Sequence, residues 1–149
     1  MTSIRFEGRI LFLSPDPDRV EAQLNGADLS LEDAQPLRDE VSTDEITPMR
    51  VAVYYDERLG RYPYIAFNAN GRTPITTDAV KTGDFGVTVA GKRYGKGSSR
   101  EHSPVAEMAA GIRLVIAESF ERIYRQNADN LGLFTSTDFG LIERIRRGE

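Results

Sequence analysis

Apolar positions follow two rhythms along this chain, and the second half carries the clearer one. Phe85–Ala90, F-G-V-T-V-A, has the β-branched alternation of a strand, and Gly91 breaks it. Val105, Met108, Ala109 and Ile112 then recur at i, i+3, i+4 and i+7, which predicts a helix over 99–110 with that face buried. A second strand is predicted over 112–117 and a second helix over 120–130. Phe120, Ile123, Tyr124, Asn127 and Leu131 would trace its inner face, and Ser119 would cap it. A short extended piece at 133–135 follows, and Asp138 is placed to cap a last helix carrying Leu141, Ile142 and Ile145. A β-α-β-α-β series requires a parallel sheet with right-handed crossovers, so the fold class is α/β, with a central mostly parallel sheet flanked by helices.

The first half is less regular. Residues 4–13 alternate and then become continuously apolar, predicting a first strand or hairpin arm that Ser14-Pro15-Asp16-Pro17 ends. Residues 18–39 are acidic and polar, with Asn25-Gly26 as a turn, and read as surface loop with a short helix. The runs 51–55 and 62–67 are rich in β-forming residues and read as two further strands around a turn at 56–60.

Composition narrows the chemistry. With 149 residues, 40% of them hydrophobic, the chain can bury one ordinary core, and 1–149 reads as a single domain. A net charge of −4, from 19 basic and 23 acidic residues, leaves no electrostatic footprint for nucleic acid. The cluster Arg144, Arg146 and Arg147 reads as a solvated helix face. Neither a membrane span nor a signal peptide is visible, so a cytoplasmic location is the default expectation. The absence of cysteine removes disulfides, thiol nucleophiles and cysteine-ligated clusters from this chain. Its one histidine, His102, cannot build a multi-histidine site, so no metal site is expected here.

The densest candidate chemistry is 94–102, Y-G-K-G-S-S-R-E-H, between the first predicted strand and helix of the patterned half. Glycines allow close approach, Ser98 or Ser99 is a natural N-cap, and the helix N-terminus with Arg100 would favour an anion. A purely structural turn is the alternative. The loop is not a phosphate-binding Walker motif, because Lys96 sits between two glycines rather than after the last one. Nor is it a G-x-S-x-G elbow. In open parallel sheets, ligands bind at the carboxyl ends of strands, which is where this loop lies. A second polar cluster, 42–48 (S-T-D-E-I-T-P), is by itself ordinary turn chemistry.

Together, S-T-D-E-I-T-P, then Y-G-K-G-S-S-R-E-H, then G-I-R-L-V-I-A-E-S-F-E-R-I-Y and N-L-G-L resemble the swivelling domain of the aconitase superfamily. The resemblance covers about residues 40–137 and is nearest the small subunits of isopropylmalate isomerases and their homoaconitase relatives. It implies a swivelling β/β/α domain and a hydro-lyase or isomerase that moves water on a hydroxy di- or tricarboxylate, as in leucine biosynthesis. It also implies a partner, a large subunit carrying a 4Fe-4S cluster whose open iron acts as Lewis acid. The missing cysteines fit that division of labour, and the chain alone is expected to be inactive.

Carried over to this sequence, the resemblance makes Ser98 the base that takes a proton from carbon beside a carboxylate. Arg100 becomes the carboxylate clamp, and Ser99 adds a hydrogen bond at the same end. Asp44, with Thr43, would organise the polar network, while Gly97 and Lys96 would border the substrate. Glu101 and His102 read as supports behind them, and Asn127 and Asn130 lie in the region where relatives place N-x-x-x-x-G-L. Lys96 departs from the small or acidic residue common at that position. The segment after Pro48 aligns poorly and leaves Arg50, Arg58 and Arg61 as rival substrate contacts. Relatives usually continue well beyond the position of Thr137, so either a compact member or an absent C-terminal portion is expected. A carboxylate-binding or regulatory module without catalysis is the alternative function.

Overall fold

A computed structural model describes residues 6, 8–48, 51, 57–97 and 101–146. Four strands, β1 (Arg9–Phe12), β2 (Phe85–Ala90), β3 (Leu114–Ala117) and β4 (Phe134–Ser136), form one sheet in the order β1-β2-β3-β4, every pairing parallel. Ile10, Val87, Leu114 and Phe134 stand in register across it. Because side chains alternate between faces, Ile10, Phe12, Val87, Val89, Leu114 and Ile116 join one core cluster. Leu11, Ala90, Val115 and Ala117 join the other. A parallel sheet covered on both faces explains why β2 and β3 are buried at every position.

The helices are α1 (Pro17–Leu24), α2 (Leu31–Ala34), α3 (Thr43–Ile46), α4 (Ala79–Thr82), α5 (His102–Ala109), α6 (Arg122–Leu131) and α7 (Leu141–Arg146). Asp16 caps α1 by accepting from the Asp18 N–H at 3.0 Å, with Pro17 at the first turn, so the predicted polar stretch holds an ordered helix. The buried Gln23 of α1 accepts from Phe12 N–H at 2.8 Å and donates to Phe12 C=O at 2.9 Å. One side-chain amide thereby satisfies both backbone groups of Phe12 on the open edge of β1.

Four expectations need correction. Residues 62–67 are turn rather than strand, since Tyr64 takes a left-handed backbone (φ +68°) and drives its ring into the core. Residues 57–61 form a 3-10 turn, and 52–56 lie outside the described residues. On α6, Tyr124 faces inward as expected and Ala128 joins it, but Ile123 and Leu131 are 51% and 37% exposed. Ser119 does not cap α6, because its hydroxyl accepts from Arg93 N–H at 2.9 Å and the helix begins only at Arg122. On α5, Ser103, Ala106, Glu107 and Ala110 are fully or almost fully buried, whereas Val105, Met108 and Ala109 are only partly covered. As expected, Arg144 and Arg146 are exposed on α7, where Arg146 also donates to Leu29 C=O and lies 5.6 Å from the centre of the Phe12 ring; Arg147 lies outside the described residues. Asp138 does close the turn before α7, accepting from Gly140 N–H at 2.9 Å. Among the described residues, no helix is long and apolar enough to cross a membrane.

Candidate functional site

The two polar clusters meet, and backbone hydrogen bonds bring them together. Past the carboxyl end of β2, the chain runs beside residues 38–43. Gly91 N–H donates to Arg38 C=O at 2.9 Å, and Glu40 N–H to Lys92 C=O at 2.6 Å. Gly95 N–H donates to Val41 C=O at 2.8 Å, and Thr43 N–H to Lys96 C=O at 2.9 Å. This short parallel zipper delivers the start of α3 to the 94–102 loop.

Local chemistry fixes α3. Ser42 and Glu45 form a reciprocal capping box, each side chain 3.1 Å from the other's N–H. The Glu45 carboxylate also takes both arms of Arg38, at 2.7 and 2.8 Å, and the Asn68 N–H at 2.9 Å. Thr43 is buried and Asp44 exposed, so they do not share one environment. The hydroxyl of Ser103, near the start of α5, lies 2.8 Å from that of Thr47 and 3.4 Å from Thr43 C=O, which ties α5 to α3.

Two loop glycines are required, Gly95 by its surroundings and its backbone, Gly97 by its backbone alone. Gly95 has φ +87°, and a Cβ there would lie 2.3 Å from Cβ and Cγ of Tyr124. Gly97 has φ +107°, and a Cβ there would approach Thr43 Oγ1 to 3.4 Å. Lys96 is half-exposed, with its ammonium 3.5 Å from Glu40. Glu101 is exposed, and His102 opens α5 half-buried.

Ser98, Ser99 and Arg100 lie outside the described residues, as does Arg50. Gly97, just before them, lies at the juncture with α3. Arg58 is exposed on the 3-10 turn, and Arg61 is engaged with Asp78 at 3.2 Å. Asn127 is half-buried and Asn130 exposed within α6, while Gly132, at φ +92°, supplies the left-handed cap. A cleft of about 430 Å³ adjoins Gly95 and Gly97 and is lined from α6 by Arg122, Ile123 and Gln126. Among the described residues no group of three metal-ligating side chains occurs, and the chain has no cysteine.

Sequence pattern did not point to a second polar assembly directly behind the loop. Glu107 of α5 is fully buried, and its carboxyl receives three tyrosine hydroxyls. Tyr94 and Tyr124 donate at 2.5 Å each, and Tyr64 also donates to it. Thr88 of β2 joins through Tyr64 at 2.9 Å. Burial pushes the Glu107 carboxyl up to about 7, against the lowering effect of the three phenol hydrogen bonds. Burial, and then the charge of Glu107, hold all three phenols well above their ordinary range. No local sequence signal marks this assembly, because its members come from separate positions, 64, 88, 94, 107 and 124.

Comparison with known proteins supplies the remaining context. Residues 57–137 match the family of the aconitase C-terminal domain. The isopropylmalate/citramalate isomerase small subunit of Methanocaldococcus jannaschii is 43% identical over 110 residues, 73% of this chain and 61% of that one. A 3-isopropylmalate dehydratase small subunit from Methanopyrus kandleri is 45% identical over 96 residues, 64% of this chain and 52% of that one. The one from Syntrophus aciditrophicus is 38% identical over 111 residues, 74% of this chain and 64% of that one. The chain thus spans between 52% and 64% of the length of these relatives. The crystal structure of 3-isopropylmalate dehydratase from M. jannaschii superposes with a TM-score of 0.52 at 37% identity, covering 65% of this chain and 55% of that one.

Proposed function

Since this chain belongs to the aconitase C-terminal domain family, we propose that it is the small subunit of a hydro-lyase or isomerase acting on a hydroxy di- or tricarboxylate of the isopropylmalate type. The observation that carries this reading is the hydrogen-bonded union of residues 38–43 with the start of the 94–102 loop, which gathers both motifs of the family at one place. The names of the relatives, small subunits of isopropylmalate dehydratases and isomerases, support it.

In this reading Ser98 removes the proton from the carbon beside a substrate carboxylate. A serine hydroxyl is far too weak an acid to lose its proton unaided, so its alkoxide needs N–H donors, the first turn of α5 and the positive charge of Arg100. Arg100 grips the carboxylate in bidentate fashion, which also fixes the carbon acid relative to Ser98. Ser99 donates at the same end. Thr43 and Asp44 border the site from α3, and Lys96 adds a cation toward the variable half of the substrate.

The chain's own residues do not fit an iron–sulfur cluster, having no cysteine to ligate one. The 4Fe-4S cluster and the chemistry of the departing hydroxyl therefore belong, in this proposal, to a large-subunit partner that the chain closes upon. The test is anaerobic reconstitution of the cognate cluster-bearing subunit with and without this chain, followed by a screen of hydroxy di- and tricarboxylates for ultraviolet absorbance of the unsaturated product. Product should form only when both are present. Binding of a carboxylate with no turnover under those conditions would favour a regulatory module instead.

A further inference from the structure

The 94–102 loop leaves the sheet at Tyr94 and returns into α5, and its two ends are tied to each other from below. Tyr94 is pinned through its backbone, donating to Ser119 C=O at 3.0 Å and accepting from Glu121 N–H at 2.9 Å. Its hydroxyl then crosses to Glu107 on α5 at 2.5 Å. The other oxygen of the same carboxyl holds Tyr124 of α6, also at 2.5 Å, and the Tyr124 ring is the surface against which Gly95 packs. Tyr64 brings the 57–67 segment to Glu107 as well, and through Thr88 reaches β2. One buried carboxyl therefore joins the loop, α5, α6 and the central strand.

A leucine would fill this space without the cost of desolvating a charge, so packing alone does not account for Glu107. We propose that Glu107 is a positioning residue for the chemistry of the 94–102 loop, acting through Tyr94 and Tyr124 as a clasp that holds the loop's ends in register; this rests on the functional reading above.

Counting protons shows how the clasp works. With the carboxylate ionised, Tyr64, Tyr94 and Tyr124 each spend their single proton on it, and Thr88 donates to Tyr64. The 2.9 Å approach of the Tyr94 and Tyr64 oxygens then carries no proton. With the carboxyl protonated, one oxygen becomes a donor, and Tyr94 can turn its proton to Tyr64. The charge-assisted bond to the loop is then lost. The titratable groups facing Glu107 are Tyr64 from the 57–67 turn, Tyr94 from the loop and Tyr124 from α6; Thr88 of β2 is uncharged. Among the described residues no arginine, lysine or histidine pairs with Glu107, and the raised phenols stay protonated, so the carboxyl is the group of the cluster that changes state near neutrality.

The experiment compares wild type, Glu107→Gln and Tyr94→Phe, each combined with the cluster-bearing partner and a hydroxy diacid, from about pH 5.5 to about pH 8.5. Both variants should lose about tenfold to a hundredfold in kcat with KM changed little, as expected when a reacting group is misplaced. The wild-type kcat should rise through about pH 7, and that limb should vanish in Glu107→Gln. Wild-type kcat and an unaltered limb in Glu107→Gln would overturn the proposal. Hydrogen exchange at the Gly95, Lys96 and Gly97 amides of the chain alone reads the clasp without turnover. Exchange about tenfold faster in both variants supports it, and equal rates refute it. If the wild-type assembly converts no hydroxy acid, the functional reading fails by itself, and the exchange rates still decide whether the clasp exists.

Discussion

The two polar regions that meet at the 94–102 loop are built in opposite ways. On the outer side, the α3 juncture is stitched by backbone hydrogen bonds and leaves its charged side chains, Asp44 and Lys96, in contact with solvent. On the inner side, the Glu107 cluster is made wholly of side chains and is closed to solvent. A backbone zipper tolerates changes in the side chains it presents, so the outer region is free to carry chemistry. A side-chain cluster tolerates few, because losing the Tyr124 hydroxyl leaves Glu107 Oε1 unpaired and losing that of Tyr94 or Tyr64 removes one of the two donors to Oε2.

Substitution separates the two regions by the size of its effect. Gly95→Ala strikes their boundary, combining a contact of 2.3 Å against the Tyr124 ring with a left-handed backbone. It should cost about 4 kcal/mol by denaturant titration, from backbone strain and overpacking together. A loss under about 1 kcal/mol would mean that the loop lifts away from α6 and is not clamped.

The inner region should announce itself through pH. The Glu107 carboxyl binds its proton more tightly folded, at about 7, than at its ordinary value of 4.5, so between those values the folded state holds more protons than the unfolded one. Unfolding free energy contributed by this group therefore falls as pH rises through that window, by about 3 kcal/mol, and is flat above it. Thermal melts of wild type and Glu107→Gln across the window check this; equal slopes would assign the dependence to other groups.

The outer region should respond more mildly. Arg38→Ala removes a bidentate, half-buried pair with Glu45 and should cost about 1.5 kcal/mol, visible as a lower melting temperature. Ser42→Ala breaks the capping box of a four-residue helix and should cost about 1 kcal/mol. A larger loss from Ser42→Ala than from Gly95→Ala would invert the order of importance assigned to the two sides.

What could be read from the chain follows the same division. β2 emerges with its expected bounds because its β-branched run is closed by Gly91, and the union of 42–48 with the loop agrees with the resemblance that paired the two motifs. The Glu107 cluster draws single residues from four places, 64, 94, 107 and 124, so no local pattern reports it. Its buried stripe on α5 is small and polar, and the more apolar stripe of Val105, Met108 and Ala109 masked it. The run 62–67 looked like a strand by composition, yet Pro63 and the left-handed Tyr64 turn it, and the tyrosine's tie to Glu107 favours that turn. Ile123 lies one position off the Tyr124–Ala128 face and is exposed, whereas Leu131 shares the period of that face but stands at the last residue of α6, where it is 37% exposed.

The central claim is that the loop's Ser98 does the chemistry while the structure behind it only holds it in place. The most direct measurement is turnover of the reconstituted assembly with wild-type chain and with Ser98→Ala, alongside a thermal melt of each. The account predicts a loss of about a hundredfold to ten-thousandfold in kcat with an unchanged melting temperature. Full turnover by the Ser98→Ala assembly would contradict it.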